Sequence, residues 1–119
     1  MNRVILAGKD WTARALLRAQ LIEEGFDVEA YEDVEAVVHC LWASREMPPL
    51  LIADLFESKK PAEDIATLSH WAKLLPIWLL AINSTVGAAT LESRGFERVF
   101  FRPLDVGKLV QEIKERLAG

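Results

Sequence analysis

Five short apolar runs, each followed by a stretch of helical periodicity, leave few folds open to this chain. The runs are residues 3–7, 26–31, 49–56, 77–82 and 98–101. In the third, Leu50, Leu51 and Ile52 follow one another with no polar alternation, and residues 77–82, and 3–7 after Arg3, are also continuously apolar. Parallel strands covered on both faces read this way. The second run alternates Phe26, Val28 and Ala30 with Asp27 and Glu29, the pattern of a half-exposed edge strand. Parallel strands need crossover connections, and those crossovers are right-handed. Strand–helix alternation repeated five times therefore predicts a doubly wound parallel α/β sheet, a single domain over residues 1–119.

The intervening stretches carry helix signals. Residues 11–24 are rich in Ala, Leu, Arg and Glu, with Ala13, Leu17 and Leu21 near one face, Leu16 and Ile22 widening it, and Gly25 as terminator. Asp33 is placed to cap a second helix, with Glu35 in its first turn. Its stripe is Val34, Val37, Val38, Leu41 and Trp42, and Met47-Pro48-Pro49 stops it. Pro61 suits the first position of a third helix with Ile65, Leu68, Ala72 and Leu75 on one face, ended by Pro76. Ser84 and Thr85 are placed to cap a short fourth helix reaching Arg94 and closed by Gly95, weakened by Gly87 and Thr90. Asp105 caps the fifth, where Val106, Leu109, Val110, Ile113 and Leu117 repeat at helical spacing.

Composition narrows the function classes. Over 119 residues the net charge is −4 with no basic block, which argues against direct nucleic-acid binding. A lone cysteine, Cys40, excludes an internal disulfide framework and a multi-cysteine zinc site, and its apolar helical setting predicts a buried, inert thiol. His39 and His70 have no third ligand at metal spacing and read as solvated helix residues. Gly8 alone after the first strand is not a GxGxxG cradle. With no signal peptide and no apolar run long enough to cross a bilayer, the chain is expected to be cytoplasmic and off the membrane.

Asp54 ends the third run, on the sheet edge where open α/β folds bind ligands. An aspartate there, five βα units and Arg102-Pro103 after the fifth strand resemble the receiver domain of bacterial response regulators, along the whole chain. The resemblance implies a flavodoxin-like sheet of order 2-1-3-4-5, a phosphoacceptor at Asp54, and a cis bond before Pro103. It also implies residues that this chain lacks. The acidic pair that holds Mg²⁺ after the first strand is replaced by Gly8 and Lys9, the strand-four hydroxyl residue by Ala81, and the lysine before the proline by Arg102. The loop that follows Asp54, beginning Leu55-Phe56-Glu57-Ser58, departs from the family pattern, although Phe56 is still expected to line the site with Asp10 and Pro103, and Val99 stands at the aromatic switch position. An ammonium near a metal opposes it: one unit-charge pair at ~4 Å and an effective dielectric near 20 is worth about 4 kcal/mol. Magnesium is therefore disfavoured, and would fall to Asp10 and Asp54 if it bound at all.

The expected function is a degenerate, or pseudo-, receiver, not an enzyme, that signals by protein–protein contact. Its partner is a histidine kinase, an output domain or another signalling protein, and the face between Ser84 and Leu117 is the candidate interface or homodimer surface. The alternative is a working phospho-receiver using Asp54; a small flavodoxin-like enzyme or ligand-binding domain has less support. Within the first reading, Asp54 is a partly buried carboxylate paired with Lys9 or Arg102, with Lys9 replacing the metal and Arg102 reaching Asp54 bidentately. Trp11 covers or gates the pocket mouth, and Trp42, Trp71 and Trp78 are expected in the core.

Overall fold

A computed structural model describes residues 2–81 and 87–118. Five strands, β1 (Arg3–Gly8), β2 (Asp27–Tyr31), β3 (Leu50–Asp54), β4 (Ile77–Ala81) and β5 (Arg98–Phe101), pair in parallel in the order β2-β1-β3-β4-β5. They alternate with α1 (Trp11–Glu23), α2 (Val34–Ala43), α3 (Pro61–Trp71), α4 (Ala88–Glu92) and α5 (Val106–Leu117). This is the flavodoxin-like (βα)5 arrangement expected. The expected caps at Ser84 and Thr85 and the end of the fourth strand at Ile82 lie outside the described residues.

Strand alternation divides the side chains between two cores. Ile5, Ala7, Leu51, Ala53, Ile77 and Leu79 face α2 and α3, meeting Val37, Leu41 and Leu68. Val4, Leu6, Leu50, Ile52, Trp78 and Leu80 face α1 and α5, meeting Leu17, Leu21, Leu109 and Ile113. Both faces being covered explains the unbroken apolar runs of β1, β3 and β4. Asp33 and Asp105 cap α2 and α5, accepting the N–H groups of Ala36 at 2.8 Å and Lys108 at 3.0 Å.

Three apolar expectations are corrected. Leu16 and Ile22 are exposed, because α1 buries only the narrow stripe of Leu17 and Leu21 and its neighbours sit about 100° round the helix. Trp42 is 77% exposed, one position round from buried Leu41 at the end of α2. It touches the core only edge-on, at 5.3 Å from the Trp71 ring. Trp71 and Trp78 are buried as expected, while Trp11 is 68% exposed. Cys40 is half-buried beside an Arg3–Glu29 ion pair, with Tyr31 donating to the same carboxylate at 2.9 Å.

Candidate functional site

β3 delivers Asp54 to the carboxyl edge of the sheet. Its register partner on β1 is Gly8, and Leu80 lies opposite on β4. Arg102 directly follows β5, and the bond from it to the exposed Pro103 is cis. Each carboxylate oxygen of Asp54 has a donor: Oδ1 accepts the Phe56 N–H at 2.9 Å, and Oδ2 accepts Arg102 Nη2 at 2.7 Å. The pair is well shielded, with the Asp54 side chain 13% and the Arg102 side chain 25% exposed. Arg102 Cζ also sits over the Phe56 ring, 4.3 Å from its centroid. The turn beyond Asp54 makes this possible: Ser58 N–H bonds Leu55 C=O at 3.0 Å, with Glu57 in the left-handed region at φ 67°.

Burial pushes the Asp54 carboxyl above its ordinary value, the Phe56 amide and the Arg102 guanidinium pull it back, and Asp10 adds to the upward push. The net direction is upward, so desolvation outweighs the pairing.

The expected partners of Asp54 divide. Arg102 meets it, through one nitrogen rather than two. Lys9 does not: its Nζ lies 3.6 Å from Asp33 Oδ2 and 4.0 Å from Glu32 Oε1, drawn to the acidic start of α2. Asp10 spends Oδ1 on the Ala13 N–H at 3.2 Å as the cap of α1. Ala81 is a buried β4 residue paired with Phe101, and brings no donor. Val99 and Phe101 pack on the α2–α3 core, while Phe100 faces Trp78.

These residues do not fit a magnesium ion. Octahedral Mg²⁺ keeps several waters and wants hard oxygens free to ligate. Asp54 and Asp10 have oxygens committed elsewhere, and the hollow between Lys9, Asp33, Asp54 and Asp64 measures about 20 Å³, space for one water. Among the described residues no cluster of three metal-binding side chains occurs. Gly8 matters sterically as well, since a Cβ there would stand 3.1 Å from Asp54 Cβ. Gly8→Asp is expected to destabilise the fold by about 1–3 kcal/mol through overpacking and like charge, read by urea unfolding.

Two contacts were not foreseen. Arg14 donates to the Gly8 carbonyl, locking α1 to the end of β1. Asp64, a buried acid in the first turn of α3, accepts from Ser58 Oγ at 2.6 Å and holds the Asp54 loop down. Nothing in the spacing of Ser58 and Asp64 announces their meeting; the turn at Glu57 brings them together.

No protein-family model matches the sequence, and no curated protein matches it. Solved structures do match in fold. The Francisella response regulator 1452 receiver domain aligns with a TM-score of 0.82 at 15% identity, covering 98% of this chain and 96% of that one. An orphan response regulator of H. pylori aligns at 0.79 and 17% identity, covering 98% and 96%. An atypical orphan response regulator, reported with a phosphorylation-independent regulatory mechanism, aligns at 0.76 and 16% identity, covering 98% and 95%. The fold is that of response regulator receiver domains.

Proposed function

We propose that this chain is a receiver-like signalling module that works through protein–protein contact without Mg²⁺-dependent phosphorylation. The observation that carries the reading is the Arg102–Asp54 ion pair at 2.7 Å. An aspartate whose outer oxygen is held by a guanidinium and whose inner oxygen is held by the Phe56 amide is a poor nucleophile. With no metal to neutralise an incoming phosphoryl group, the charge it brings finds one arginine already engaged. The similarity to an atypical orphan response regulator supports the same reading.

The partner is a protein, a histidine kinase, output domain or other signalling protein. The face between Ser84 and Leu117 is the docking or homodimer surface. Its described part presents alternating charge, with Arg98 on Glu112 at 2.7 Å and Arg116 on Glu97 at 2.9 Å. No helix among the described residues is long and apolar enough to cross a membrane, in keeping with a cytoplasmic module.

The test is intact mass after incubation with acetyl phosphate and Mg²⁺, with Asp54→Asn as control and circular dichroism to show that both are folded. The expected result is no phosphoryl adduct on either. An adduct on the wild type alone would overturn the proposal and make the chain a phosphorylated receiver with an unusual metal site.

A further inference from the structure

Between α1 and α5, on the sheet face away from α2 and α3, lies a cavity of about 110 Å³. Its walls are mostly aliphatic, with Leu17 from α1, Ile52 from β3 and Leu109 from α5. Three charged residues also line it: Arg14, Asp54 and Arg102. Arg102 is only partly satisfied. Its Nη2 holds Asp54, but its Nε is buried with no hydrogen-bond partner among the described residues. A buried N–H without an acceptor is unfavourable, so the guanidinium gains by turning that N–H towards an oxygen placed in the cavity.

The geometry points to a binding site for a small monocarboxylate with a short aliphatic tail. A cavity of about 150 Å³ accommodates the six carbons of benzene, so this one takes a tail of about four. Two guanidinium groups against one carboxylate leave the lining with one net positive charge, which selects a monoanion over a neutral or dianionic head. The ligand carboxylate faces Arg14 and Arg102, whose buried Nε–H turns to it on binding, and the tail fills the space between Leu17 and Leu109. Because the same guanidinium holds Asp54, occupancy braces the ion pair. The site rests on the proposed unphosphorylated state, because a phosphoryl group on Asp54 would cancel the positive charge of the lining.

Pentanoate titrated into the full chain, followed by two-dimensional NMR, tests this. Saturable shifts at the Ile52, Leu17 and Leu109 methyl groups and at the Arg102 Nε–H are expected. Arg102→Lys keeps the charge but removes Nε, and is expected to weaken binding about tenfold. Ala13→Leu, on the α1 wall, should abolish binding by filling the cavity; Val106→Leu serves the same purpose if that variant does not fold. 1-Pentanol should bind about tenfold weaker than pentanoate. The proposal fails if pentanoate gives no saturable shifts, if acetate gives the same shifts, or if the filled variants bind as the wild type does. Equal binding by 1-pentanol would overturn the assignment of a charged head.

Discussion

Arg102→Ala is expected to cost about 2–3 kcal/mol of stability at neutral pH, measured by urea unfolding followed by circular dichroism. Orphaning a fully buried charge costs about 3–5 kcal/mol. The quarter of Arg102 that stays exposed lowers that figure, since water reaches the pair. The loss has a distinctive pH dependence. Asp54 titrates above its ordinary value of 3.8 because burial outweighs its donors. Between the unfolded and folded values the native chain holds a proton that the unfolded chain has lost. Stability therefore falls as pH rises through that window. Ionised Asp54 is a cost present above the folded value and absent below the unfolded one. Removing Arg102 raises the folded value further, so the penalty of Arg102→Ala is greatest near neutrality and shrinks towards pH 4. In an Asp54→Asn background the penalty should fall to about 1 kcal/mol, the part owed to stacking on Phe56. An equal penalty in both backgrounds would show that the ion pair is not what Arg102 contributes.

Trp78→Ala is the larger loss, about 4 kcal/mol. Trp78 is 1% exposed at the centre of the α1–α5 core. Its Nε1–H donates to Glu97 Oε2 at 2.7 Å, and its ring lies 5.6 Å from Phe100. Alanine removes the ring, leaves a cavity under α5 and deprives Glu97 of one donor. Arg116 still holds Glu97 at 2.9 Å, so the carboxylate is not orphaned and the cost is mainly packing. Trp78→Phe, which keeps most of the apolar area, should cost about 1–2 kcal/mol. The same urea series checks both, and a loss under 2 kcal/mol for alanine would mean that the core collapses around the gap.

The fold was legible because its signals are local and repeated. Leu50-Leu51-Ile52 announces a strand covered on both sides, and Asp33 and Asp105 announce helix starts that the backbone then takes. The limits of each apolar stripe were less legible. Trp42 fits the helical period as well as Leu41 does, yet it is 77% exposed and meets the core through the edge of Trp71. At the site, the resemblance brought Asp54 and Arg102 to one place across 48 residues of chain. It could not supply the direction of flexible side chains. Lys9 and Arg102 are both cations beside Asp54 in sequence logic, but Glu32 and Asp33 offer Lys9 a nearer and more solvated home. The sequence places Phe56 in the lining of the site but does not show that it meets Arg102, because that contact depends on the left-handed turn at Glu57.

The uneven burial of the four tryptophans has an optical consequence. Trp71 and Trp78 sit in apolar surroundings and should emit in the blue, whereas Trp11 and Trp42 face water and should emit further to the red. A collisional quencher such as iodide would silence the second pair first. Trp11 directly follows Asp10 at the edge of the site, while Trp42 is tied to the opposite core through Trp71. Replacing Trp42 with phenylalanine would leave Trp11 as the exposed emitter, a built-in reporter of whatever docks at the carboxyl edge of the sheet.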